Sequence, residues 1–129
     1  MPNVTIEVRK QYSPEEDAQI LRAVHAALME GIKTPEWDRT LRLVCHEPGR
    51  FLAPPGKDER YTLVEIDLFP GRSLGAKRAL YQAIVRNLGV LGIPADHIKI
   101  LLRESPPENW GIRGGLPASE VDLGFKIDV

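Results

Sequence analysis

One cysteine, Cys45, stands in 129 residues, so no internal disulfide staples the chain. No apolar run approaches the roughly 20 residues that cross a bilayer, so no membrane span is expected. The three histidines, His25, His46 and His97, are scattered without the paired spacing of a metal site, so neither a metal nor a cofactor is expected. Charge of one sign is also missing. Seventeen Lys and Arg against eighteen Asp and Glu give a net charge of −1 and no basic field for a polyanion, so nucleic acid is excluded as a partner. Met1-Pro2-Asn3-Val4 enters a strand-like pattern at once, without a charged leader or apolar signal core. A reducing cytoplasm is the expected location. With 43% hydrophobic and 27% charged residues, the expectation is a single domain over residues 1–129 that buries its core without staples.

Two periodicities alternate along the chain. Val4, Ile6 and Val8 share one face of a segment at 4–8, the period of a half-buried strand. Ser13-Pro14-Glu15-Glu16 then supplies a helix cap, a proline at the first helical position and early acids. Ile20, Leu21, Val24, Ala27 and Leu28 follow at helical spacing, predicting a helix from about 14 to 30 that stops near Gly31. A second strand is predicted over 40–46, with Leu41, Leu43 and Cys45 on its inner face and Cys45 in the core.

After a Pro- and Gly-rich connection from Pro48 to Arg60 the plan returns: a strand at 62–68, a helix opening at Ser73, a strand at 98–103. Laying Ser73 over Ser13 places Thr62 over Pro2 and Arg72 over Tyr12, and in a register that holds to within a few residues Lys99 falls over Arg42 in the final strand, so the chain reads as repeats at about 2–48 and 61–120. A helical crossover of this length joins parallel strands, giving two βαβ units. The predicted fold is α+β: a four-stranded mixed sheet with two helices on one face, plus short C-terminal strands. The other face mixes Thr5, Glu7, Arg42, Val44, Glu65, Asp67, Lys99, Leu101 and Arg103, and meets either water or other subunits.

The units are complementary where chemistry is concerned. Only the first opens on a proline, Pro2; only the second has an arginine, Arg72, in its strand-to-helix turn. An arginine beside a helix N-terminus suits a carboxylate. Cys45 and His46 are adjacent in a strand and point to opposite faces, which excludes a dyad between them. Gly111 to Gly115 is followed by Leu116-Pro117 instead of a helix start, so it reads as a hairpin or an interface turn and not as a phosphate loop.

From strand three onward, Gly71-Arg72-Ser73, Lys99, Trp110-Gly111-Ile112-Arg113-Gly114-Gly115 and Ala118-Ser119 resemble the 4-oxalocrotonate tautomerase pattern. In the first half, Pro35, Asp38-Arg39 and His46-Glu47-Pro48-Gly49 are similar in spacing to malonate semialdehyde decarboxylase, of the same tautomerase superfamily. The resemblance implies Pro2 as base or acid, Arg72 as carboxylate binder and Trp110 as an apolar wall. It implies that Asp38 positions or activates water, with Arg39 beside it, and that Lys99 replaces the arginine expected on the last strand. Pro70 stands where the decarboxylase has a further arginine, and Arg113 is an extra tail residue that serves either as a second carboxylate contact or as a hairpin arginine. The resemblance also implies a homotrimer whose substrate is a small carboxylic acid.

Enolisation of a 2-oxo acid needs a base that is neutral near pH 7. A free proline amine is a rigid secondary amine, and a neighbouring cation with partial burial lowers its proton affinity. Pro2 qualifies only once Met1 is removed, because an acylated nitrogen has no usable lone pair. The expected function is keto–enol tautomerisation of a small 2-oxo or enol acid. Two alternatives stay open: decarboxylation or hydration of a three-carbon acid directed by Asp38, and a non-catalytic trimeric binding protein.

Overall fold

The computed structural model describes residues 2–129. Six strands and two long helices follow one another as β1 (Asn3–Val8), α1 (Pro14–Ile32), β2 (Thr40–Cys45), β3 (Thr62–Leu68), α2 (Leu74–Val90), β4 (Ile98–Glu104), β5 (Gly111–Ile112) and β6 (Leu116–Pro117). The main sheet has the order β2-β1-β3-β4, parallel within each βαβ unit and antiparallel where β1 meets β3. β5 and β6 form a separate antiparallel pair, the short C-terminal strands expected from the sequence.

Alternation decides the layers. Val4, Ile6, Val8, Val64, Ile66 and Leu68 are all at most 1% exposed, packed under Ile20, Val24, Leu28, Leu80, Ile84 and Leu88 of the two helices. On the edge strands the matching residues Leu41, Leu43, Ile98, Ile100 and Leu102 are only partly buried, since each edge has one neighbour instead of two. The open face is laced by charge. Arg42 donates to Asn3 Oδ1 (2.9 Å) and Thr5 Oγ1 (2.7 Å), and Arg103 bonds Glu65 and Asp67. Val44 and Leu101 remain exposed among them.

Three expectations need correction. α1 runs on through Gly31 to Ile32, and the left-handed cap is Lys33 at φ 60°. Gly31 is there for contact: a Cβ on it would lie 2.6 Å from Leu80 Cα, so the glycine lets α2 approach α1 closely. Cys45 is exposed, because it ends an edge strand, and its thiol contacts the Lys10 carbonyl at 3.6 Å. Pairing also moves Lys99. Asn3 lies opposite Thr40 as Leu63 lies opposite Lys99, so Lys99 holds the place of Thr40 and not of Arg42. Aligning the helix caps alone misses this, because α1 has 19 residues and α2 has 17, while the connections 33–39 and 91–97 are equally long.

Candidate active site

The sheet order brings three distant segments to one end. Asn3 pairs with Thr40 on one side and with Asp67 on the other, so the buried Pro2 emerges between the start of β2 and the end of β3. The turn entering β2 carries Asp38, 7% exposed; the turn leaving β3 carries Arg72, 6% exposed. Nothing in the local sequence of either turn brings them together. The central place of β1 does.

Arg72 is held by one nitrogen. Its Nη1 donates to the carbonyl of Phe69 at 3.1 Å, whereas Nε and Nη2 are buried without a partner among the described residues. Those two N–H groups form the parallel side of the guanidinium fork, the geometry that grips a carboxylate with two bonds. Each donor left unpaired costs about 1–3 kcal/mol, which a bound carboxylate would recover. Burial pulls the Arg72 pKa below the usual guanidinium range, and the charges of Asp38 and Glu104 oppose this. Asp38 thus lies within electrostatic reach of Arg72.

An aromatic wall stands on the far side of the turn. Trp110 meets Phe69 edge to face, with ring centroids 5.1 Å apart, and its Nε1 donates to the Ser105 carbonyl at 3.3 Å. Ser105 N is bonded in turn to the carbonyl of Leu68, so the chain leaving β4 is tied to the end of β3. The C-terminal segment reaches the same place. Phe125 packs edge to face on Trp37 at 6.0 Å, the Ile127 carbonyl lies against Gly71, and Ser73 N donates to Val129 O at 3.0 Å. It therefore touches both turns that flank Pro2.

The remaining sequence candidates are engaged differently. Arg39 is exposed, paired with Glu36 at 3.4 Å, and lines a groove of about 380 Å³ between α1 and β2 with Leu21, Arg22, His25, Thr40 and Leu41. Lys99 sits toward the opposite end of the sheet from Pro2, beside Leu63, and borders a pocket of about 450 Å³ with Phe51, Leu52 and Tyr61. Arg113 is exposed in the β5–β6 turn at φ 49° and donates to the Asp122 carbonyl at 3.1 Å. The removal of Met1, on which the Pro2 amine depends, concerns a residue outside the described ones.

Sequence reasoning missed His25, Phe69 and the C-terminal segment. His25 flanks the apolar stripe of α1, yet it is 7% exposed and bonds the Glu36 carbonyl at 3.0 Å, inside the turn of Asp38. A polar residue at a buried helix position was the signal. Phe69 follows β3 directly in an apolar run, and only its contact with Trp110 marks it. Phe125 and Ile127 carry no local signal.

Among the described residues no group of three His, Cys, Asp or Glu is placed to hold a metal ion, and no helix is long and apolar enough to cross a membrane.

Comparison with known proteins agrees with this architecture. The Bacillus subtilis protein YusQ, named a probable tautomerase, is 25% identical over 121 residues, 89% of this chain and 95% of its own length. The crystal structure of FG41 malonate semialdehyde decarboxylase inhibited by 3-bromopropiolate superposes with a TM-score of 0.82 at 25% identity, covering 94% of this chain and 98% of that one. Native fused 4-OT has the same fold, with a TM-score of 0.83 at 19% identity over 95% of this chain and 99% of that one. A family model described as tautomerase enzyme matches residues 38–113, more than half the chain and the whole stretch from Asp38 to Arg113, and by that match the chain belongs to the tautomerase family.

Proposed function

We propose that this protein is a tautomerase acting on a small 2-oxo or enol carboxylic acid, with the amine of Pro2 as its base once Met1 is removed. The observation that carries the reading is the open Nε/Nη2 side of buried Arg72, at the end of the sheet where β1 begins. A substrate carboxylate on that fork directs its α-carbon toward the start of β1. Pro2 then takes a carbon-bound proton, negative charge grows on the carbonyl oxygen, and the proton returns to the neighbouring position. Phe69 and Trp110 exclude water from one side, which strengthens the pull of Arg72 on the developing charge.

A second reading is favoured by Asp38, a carboxylate only 7% exposed and within reach of the Arg72 charge. In it, protonated Pro2 acts as an acid or electrostatic catalyst, Asp38 directs water, and the reaction is decarboxylation or hydration of a three-carbon acid. Turnover of malonate semialdehyde without ketonisation of an enol acid decides for it.

The open sheet face, with paired charges around exposed Val44 and Leu101, supports a homotrimer as the working assembly. Lys99, which stands toward the opposite end of the sheet from Pro2, would serve substrate only across a subunit boundary.

The experiment follows ketonisation of enol phenylpyruvate by ultraviolet absorbance, with protein shown by mass to lack Met1 alongside Pro2→Ala. Acceleration by the mature protein and a loss of about 10²- to 10⁴-fold in the variant are expected. Equal rates for the two remove the proline-base mechanism and leave the decarboxylase and binding readings, which turnover of malonate semialdehyde separates.

A further inference from the structure

Within the turn that carries Asp38, Asp38 N donates to the Pro35 carbonyl and Arg39 N to the Trp37 carbonyl, both at 3.1 Å. Such bonds shape a turn without fixing where it stands on the rest of the molecule. His25 supplies a longer-range tie. It projects from a stretch of α1 whose neighbours Val24 and Leu28 are fully buried, and its Nε2 lies 3.0 Å from the Glu36 carbonyl in the middle of the turn. A carbonyl only accepts, so Nε2 carries the proton. Nδ1 is buried without a partner among the described residues, so the ring gives up one hydrogen bond at that atom while making this one. A side chain 7% exposed that accepts this loss is held for the bond it makes.

We propose that His25 is a positioning residue: it fixes the 34–39 turn against α1 and so sets the place of the Asp38 carboxylate relative to Arg72 and Pro2. The inference rests on the reading of this end of the sheet as the active site. An error of about 1 Å in a reacting group costs on the order of 10²-fold in rate, so an anchor of this kind acts without touching substrate.

Two amides of different reach separate the tie from general packing. In His25→Gln the amide nitrogen stands where Nε2 does; in His25→Asn it falls short of the Glu36 carbonyl. Hydrogen exchange of the Asp38 and Arg39 amides should quicken at least about tenfold in His25→Asn and stay within about threefold of the parent in His25→Gln. The kinetics should follow, with kcat falling about tenfold or more in His25→Asn and restored in His25→Gln. The double variant His25→Asn/Asp38→Asn should be no slower than Asp38→Asn alone, because both act through one carboxylate. Unchanged exchange in His25→Asn, or a double variant slower by the product of the two single effects, overturns the proposal. If exchange responds as expected but Asp38→Asn is silent in both the ketonisation and malonate semialdehyde assays, the functional role of Asp38 is what fails.

Discussion

The two βαβ units meet their helices in different ways. Ser13 opens α1 with a closed capping box: its hydroxyl accepts from Glu16 N at 3.1 Å, and its own N–H donates to Glu16 Oε1 at 3.0 Å. Ser73 opens α2 with the same hydroxyl bond, to Ala76 N, but Ala76 has no carboxylate to return. The free Ser73 N–H takes the Val129 carbonyl instead. The residues before the caps diverge as well. Tyr12 and Arg9 face the loop after β2, where Arg9 Nη1 donates to the Asp58 carbonyl and Asp58 is clamped by Arg60 and His97. That end leaves single atoms unpaired, Arg9 Nε and Tyr12 Oη, where the other end leaves a whole guanidinium fork. At the first cap the polar groups close on the capping box and the 58–60 loop; at the second, Ser73 N–H takes the Val129 carbonyl and the Arg72 fork stays open.

The sharpest way to break this comparison is to treat Arg72 and Tyr12 alike. Arg72→Lys keeps the charge and removes the fork, and should lower kcat/KM for an enol acid by about 10- to 100-fold. Tyr12→Phe should leave it within about twofold. Comparable losses in both would mean that the two ends are functionally equivalent.

A stability contrast comes next. Gly31→Ala must push Leu80 backbone away from a Cβ at 2.6 Å and should cost about 1–3 kcal/mol in urea unfolding. Gly92→Ala meets open space but sits at φ +92°, so its cost is conformational and smaller, about 1 kcal/mol. The reverse order would mean that the helix pair yields more readily than its close contact implies.

Ala76→Glu would give α2 the capping acid that α1 has, worth about 0.3–1 kcal/mol in helix stability. Its carboxylate competes with the Val129 carbonyl for Ser73 N–H, so limited trypsin cleavage after Lys126 should speed up a few-fold. Unaltered cleavage would place the hold on the segment elsewhere, at Phe125 on Trp37.

The smallest effect is one of pH. Hydrogen bonds from the Ser13 backbone and hydroxyl side lower the Glu16 pKa below its ordinary value. A depressed carboxylate contributes stability above the unfolded pKa, and that contribution is lost as pH falls through the folded one. The stability gap between the parent and Glu16→Gln should therefore be full near neutrality and close as pH drops below the ordinary glutamate range. No such window is expected for Ala76→Gln.

Much of this molecule was legible in order of residue. Strand period in 4–8 and 62–68, helical stripes after Ser13 and Ser73, and the turn glycines predict the elements, their order and the face each buries. The complementarity of Pro2 and Arg72 is visible because aligning the caps Ser13 and Ser73 sets each against its counterpart in the other half, Thr62 and Tyr12. The edges were less legible: Cys45 has the spacing of a core residue, but exposure depends on whether a strand has one neighbour or two. Lys99 slipped in register because helix caps do not report helix length.

The sequence by itself determined secondary structure and layering, since both follow from periodicity within a few residues. Only the tertiary structure decided which cation is buried with its fork open, that His25 grips the turn of Asp38, and that residues 125–129 reach the cap of α2. Each of these depends on how whole elements pack against one another near the place where β1 begins. Burial and unpaired hydrogen bonds are properties of that packing, so no local stretch of sequence encodes them.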